Sequence, residues 1–339
     1  MKFKIADLSV WGFSNISTYR THLMGFAILG VMVGHIRATN PSLFGGVFDI
    51  IVHVFSHSLF TETFLFLSGL GLYASFKNNN SVLQFYKRRL KRLFFPYLFI
   101  AGPFFIILDL ICNGNVLLFF SHISTLYFFF GGNYYGMWYI SVILLLYLLY
   151  PFIHNFLYNT KGVVLIKLLF ILFIILLLRI FIFSTYQDYY NDVEIGIDKI
   201  SMFFVGSYFM YKMKEGISVY DIICYSLIFI LFLYLGIVRH IHFFIQDIIN
   251  CSVIISILLY TLLCYLLQKK KNLLSPIEWM GKYSLELYIL HLLIYYVLCN
   301  INDKFMSSDY YMLISVCVAL IACQFFNCYS KDLTNYIIK

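Results

Sequence analysis

Apolar runs of about twenty residues recur along nearly the whole chain, with short polar loops between them. A hydrocarbon core ~30 Å thick is crossed by a helix of ~20 apolar residues. The pattern therefore predicts about ten transmembrane helices, at roughly 21–37, 58–77, 93–112, 136–157, 163–184, 199–213, 219–237, 246–268, 282–300 and 310–329. The 199–213 run is short and reads as tilted or half-buried. The weaker apolar run 46–57 reads as interfacial or re-entrant, and so does the aromatic, Gly-flanked segment 116–131. The expected fold class is an all-α polytopic membrane protein. It forms one integral-membrane domain over 1–339, with spans from roughly 21 to 329 and no appended soluble domain.

Composition sharpens this picture. Charged residues make up 12% of the chain, where a soluble domain carries ~25%. Basic residues concentrate on alternate loops. With the N-terminus in the cytoplasm, 19 of the 24 Lys and Arg residues fall on the inner side. Only Arg37, Arg179, Lys199, Arg239 and Lys304 fall outside. Positive charge marks the cytoplasmic side, so the chain is expected to be N-in and C-in. The formal net charge of +8 then follows from topology and calls for no nucleic-acid partner. The first apolar run is expected to be a span and not a cleavable leader, because polar groups recur in it and no small-residue cleavage site follows. The eight cysteines show neither a CxxC pair nor a disulfide-framework spacing and read as core packing. No HExxH, Cys/His cluster or Gly-rich phosphate loop is present, so no metal is expected.

Ionisable residues inside spans carry the candidate chemistry, since burying one costs ~3 kcal/mol or more. They are His35, Glu62, Arg179, Glu286 and His291, with Asp109, His53 and His57 nearer span ends. His35 closes the first apolar run. An imidazole there can accept a hydroxyl proton and return it near neutral pH, or it can be an interfacial group bonded to a carbonyl. Ser68 and Gly69 are explained by close helix packing, but packing supplies no partner for Glu62. Ser284, Tyr288 and His291 share one helix face, with Glu286 off it. That polar stripe reads either as a cavity lining or as an interhelical hydrogen-bond seam. The loop FYKRRLKRLFFPY holds five basic residues in the six positions from Lys87 to Arg92. It is a positive-inside anchor. Arg88 with Arg92, or Arg89 with Arg92, is also spaced to grip the phosphates of a cytoplasmic donor. Pro96 then opens the next span near its first turn.

Six blocks in order resemble the integral-membrane acyltransferase 3 family, whose members mostly O-acetylate glycans. They are GFAILGVMVGH ending at His35, and ETFLFLSG with Glu62, Phe64, Ser68 and Gly69. Next come FYKRRLKRLFFPY with Arg88, Arg89, Arg92 and Pro96, and MWYISVILLLYLLYP with Trp138, Tyr147 and Pro151. The last two are KISMFFVGSY with Phe203 or Phe204 and Gly206, and GKYSLELYILH with Gly281, Ser284, Tyr288 and His291. The resemblance covers most of the chain. It departs at one point: the family pairs its first-span His with an Arg eleven residues earlier, and Met24 stands there. Arg20, one turn before, is on the same face; either Arg20 substitutes, or another cation such as Arg179 serves, or the chain is a divergent member with altered activity.

The resemblance implies an O-acyltransferase in the bacterial cytoplasmic membrane. Acetyl-CoA would be the donor on the cytoplasmic face, and a hydroxyl of a glycan or lipid-linked saccharide the acceptor. His35 is the expected acid–base or acyl-relay residue, and Arg88, Arg89 and Arg92 the CoA-binding group. Arg20, Glu62, Ser68, Trp138, Ser284, Glu286, Tyr288 and His291 are expected to shape or support the cavity. Beyond the bilayer, a homo-oligomer or a partner transferase is the further association considered. The rival readings are a glycan transporter or flippase and a non-catalytic member of a glycan-synthesis complex.

Overall fold

The computed structural model describes residues 14–78, 81–132, 136–217, 219–301 and 310–337. Lys2, Lys4, Lys304 and Lys339, counted in the charge asymmetry, lie outside the described residues. Among the described residues every regular element is helical. Among the same described residues, seven stretches are long and apolar enough to cross a membrane: Arg20–Thr39, Gly46–Lys77, Val82–Cys112, Trp138–Asn159, Val164–Thr185, Val219–Val238 and His242–Leu267. An eighth follows if Lys271–Lys282 and Ser284–Asn300, bent by 70°, are one span. The two remaining predicted spans fall on helical stretches that are not long and apolar enough to join the others. These are Ile200–Glu215, with 16 residues, and the apolar stretch Tyr311–Gln324. The 46–57 run forms its own helix, Gly46–Ser58, just ahead of Thr61–Asn78. The 116–131 segment folds as the short helix Val116–Ile123 followed by a tight turn Tyr127–Phe130, closed by Gly131 at φ 74°.

The chain divides into two compact units, each built from three stretches of sequence. The first comprises Met1–Ala27, Ser58–Asn80 and Leu149–Gly281. Its centre is the crossing of Thr61–Asn78 with Ile200–Glu215. Here the helices meet backbone to backbone. A Cβ added at Gly69 would collide with the carbonyl of Phe203, and one at Gly206 with the carbonyl of Phe66. Small residues permit this approach, and in lipid it is van der Waals contact that drives association. A similar contact sets Gly25 against the Ile277 carbonyl and Gly281 against that of Thr21.

The second unit comprises Ile28–His57, Ser81–Leu148 and Lys282–Lys339. In it Ser284–Ile301 packs against Tyr311–Ile337 and Phe95–Phe105. The basic run enters Phe95–Phe105 through a π-helical turn, Leu90–Phe94, with Pro96 in the first turn beyond it. Proline has no N–H to give, so the helical ladder is interrupted here, and the π-helical turn falls at that interruption. Pro103 lies inside the same helix, and a second π-helical turn, Ile106–Cys112, follows it.

Candidate active site

In the second unit, His35 and His291 meet. His35 Nδ1 is 3.0 Å from His291 Nε2, and the rings stack at 5.3 Å with 29° between their planes. His291 is fully buried, while His35 is half-buried. The helix itself holds His291, whose Nδ1 donates to the carbonyl of Leu287, one turn earlier, at 2.7 Å. On the same face Tyr288 donates to the carbonyl of Gly136 and meets Tyr139 edge-on at 5.7 Å. Gly136 has φ +72° and packs on Leu292, so the position suits glycine on two counts. Trp138, next to Tyr139, is buried. Ser284 begins this helix just past the 70° bend. Glu286 lies off the Tyr288–His291 face, within electrostatic reach of Arg92.

The basic segment separates into two kinds of arginine. Arg88 and Arg92 are exposed. Arg89 is half-buried, its guanidinium 5.5 Å from the Phe85 ring and 5.6 Å from the Tyr147 ring. Stacking of this kind is favourable for a guanidinium and holds it in place.

In the first unit Glu62 finds its counter-ion. Lys199 Nζ lies 3.0 Å from Glu62 Oε1 and 3.0 Å from Thr61 Oγ1. Gln246 donates to the same carboxylate oxygen at 2.8 Å and to Asn250 Oδ1 at 3.2 Å. Asn250 donates to the carbonyl of Asp198 at 2.8 Å. The Asp198 side chain accepts from Arg179 Nε at 2.8 Å and from the Tyr190 hydroxyl at 2.8 and 2.9 Å. Arg179 Nη1 reaches both oxygens of Asp247, at 2.8 and 3.0 Å. Burial, and next the Asp198 carboxylate, raise the Tyr190 phenol above its usual range, so it remains a donor. The result is a continuous buried network in which each charge has an opposite charge within 3.0 Å.

The family model of an acyltransferase domain, acyltransferase 3, matches residues 22–328. The chain belongs to the acyltransferase 3 family. Membership supports a membrane acyltransferase, and the apolar helices make this member multi-pass. No curated protein and no solved structure gives a significant match.

Within this acyltransferase 3 chain the resembling blocks do distinct work. Glu62 belongs to the ionic network, whereas Ser68 is buried beside the Gly69 crossing. Met24, in the place of the family Arg, is buried. Arg20 donates from Nε to the carbonyl of Leu67 at 3.0 Å, and its guanidinium covers Gly71, so its described contacts are with the Thr61–Asn78 helix. One buried pair escaped the sequence reading. His122 Nδ1 lies 2.7 Å from Asp109 Oδ2, with the imidazole stacked on Phe105 at 4.7 Å. Asp109 stood out near a span end, but His122 lay in an aromatic stretch with no helical stripe to mark it.

Proposed function

We propose that the protein is an O-acyltransferase of the bacterial cytoplasmic membrane. It moves an acyl group, acetyl foremost, from acyl-CoA at the cytoplasmic face to a hydroxyl of a glycan or lipid-linked saccharide. The orientation proposed is N-in and C-in with ten crossings, supported by the 19-to-5 division of basic residues.

The observation that carries this reading is the His35–His291 pair at 3.0 Å, in a chain matched by the family model from 22 to 328. In the proposed reaction His35 accepts the acceptor's hydroxyl proton as that oxygen attacks the thioester carbonyl. The carbon–sulfur bond breaks, and His35 returns the proton to the departing thiolate. Atoms and charge balance, and the imidazole ends as it began. Arg88 and Arg92, exposed and one turn apart, suit the donor's phosphates. Glycan acylation measured by mass spectrometry, in cells with the gene, without it, and with His35→Ala, tests the reading. Loss of one acyl mark in both altered strains is expected. A normal mark in both would move a transporter or a non-catalytic member of a glycan-synthesis complex to first place.

A further inference from the structure

We infer that His291 is a positioning residue that fixes the tautomer of His35, holding the proton on Nδ1 of His35 and the lone pair on Nε2. The inference rests on the acyltransferase reading for its kinetic consequence, but its structural content stands independently.

A chain of hydrogen bonds with one fixed end sets the tautomer. A backbone carbonyl only accepts, so the 2.7 Å contact from His291 Nδ1 to Leu287 O requires the proton on that nitrogen. In the neutral ring the other nitrogen, Nε2, then carries the lone pair. A doubly protonated His291 would bury a charge whose two hydrogen-bond partners here are neutral, a costly arrangement. His291 Nε2 is therefore the acceptor in the 3.0 Å contact, and His35 Nδ1 is the donor. That leaves the lone pair of His35 on Nε2, the nitrogen on the far side of the ring from His291. Two residues and one carbonyl thus choose which nitrogen serves as the base. The choice is built into helix periodicity, because Leu287 and His291 are one turn apart.

The same chain says where the proton goes. A proton taken by His35 Nε2 makes an imidazolium whose Nδ1–H remains bonded to a neutral acceptor. Onward transfer to His291 would end at the Leu287 carbonyl, which does not take up a proton. The proton accordingly leaves by the nitrogen through which it came, toward the leaving group. An aspartate in this place would stabilise the imidazolium more strongly, and a neutral imidazole keeps the buried site free of a permanent charge.

The test uses the full chain in lipid bilayers with ¹⁵N-labelled histidine. His35→Asn identifies the His35 signals among the nine histidines. His35 is expected to show a protonated Nδ1 and a bare Nε2. In His291→Leu the proton is expected to shift toward Nε2. With acyl-CoA as donor, His291→Leu is expected to lower kcat by ~10²-fold or more with little change in KM for the donor, within the ~10²–10⁴-fold that a general acid–base group contributes. His291→Gln, whose amide oxygen can accept the same N–H, is expected to recover about tenfold of that loss. Thermal unfolding of each variant separates folding from function. A wild-type His35 protonated on Nε2, or an unchanged tautomer in His291→Leu, would overturn the inference whatever the activity. Absence of acyl transfer by the wild type alongside the expected spectrum would instead sink the acyltransferase reading and leave the tautomer lock standing.

Discussion

Lys199 Nζ and Glu62 Oε1 lie 3.0 Å apart, and both side chains are buried. Removing one partner strands the other charge in a site that water does not reach, at a cost of ~3–5 kcal/mol. Lys199→Met is therefore expected to lower thermal stability sharply, and Glu62→Leu by a similar amount. The double variant is expected to recover most of the loss, because two apolar side chains leave no stranded charge. Thermal unfolding in detergent across all four proteins gives the coupling. Additive losses would mean that the pair acts through separate neighbours.

This pair also shows how far the sequence was legible. A charge in an apolar span announces a need for a counter-ion, so Glu62 and Arg179 stood out. Their partners did not, because Lys199, Asp198 and Asp247 all lie at the edges of the predicted spans 199–213 and 246–268, where a charge is unremarkable. Pairing over long sequence separation, such as Glu62 with Lys199, leaves no local period to detect. The helices were legible because apolar runs of span length have few other uses, and each predicted span coincides with a helix. The His35–His291 meeting was half-legible. Periodicity placed Tyr288 and His291 on one face, but nothing in either segment said which helix that face would meet. The basic run was read as one group of three arginines, whereas the structure sets Arg89 between two rings. Tyr147, which makes this possible, lies in another span.

The crossing of Thr61–Asn78 with Ile200–Glu215 gives a second prediction. Gly69 and Gly206 each face a backbone carbonyl of the opposite helix, with no room for a methyl group. Backbone cannot rotate aside as a side chain can, so the helices must part. Gly206→Ala and Gly69→Ala are each expected to cost ~1–3 kcal/mol or more. Gly45→Ala, where an added Cβ meets nothing within 4 Å, is the control and should be silent. Comparable unfolding midpoints for all three variants would refute the tight crossing.

The division among the arginines gives a third. Arg88→Ala with Arg92→Ala is expected to raise KM for acyl-CoA severalfold with little loss of stability, since both side chains are exposed. Arg89→Ala is expected to do the reverse, losing ~1–2 kcal/mol of stacking with Phe85 and Tyr147. Arg89→Lys should recover little, because an ammonium does not stack as a planar guanidinium does. Donor titrations and thermal melts on the same preparations distinguish the two classes. An Arg89→Ala enzyme with normal stability and a raised KM would return Arg89 to the donor site.

The last prediction separates His35 from Arg20, which share the Arg20–Thr39 helix. If His35 is the acid–base group, His35→Ala should lower transfer by ~10²–10⁴-fold while the protein stays folded. The hydrogen bond it loses leaves the buried His291 Nε2 without its partner, at a cost of ~1–3 kcal/mol. Arg20 stands one turn from Met24, where the family carries arginine, and it would behave like His35 if it had taken over that role. Two of its contacts lie on another helix. Nε holds the Leu67 carbonyl and the guanidinium covers Gly71, so Arg20 fastens its own helix to Thr61–Asn78. Arg20→Ala is therefore expected to lose ~1–3 kcal/mol of stability, as a buried carbonyl loses a charged donor. The activity per folded molecule should stay within a few-fold of wild type. Arg20→Ala combined with Met24→Arg should not restore that stability, since an arginine at 24 stands a full turn from the Leu67 carbonyl's present partner. Activity assays normalised to folded protein decide the matter. A loss in Arg20→Ala as deep as that in His35→Ala, at unchanged stability, would assign Arg20 to the reaction.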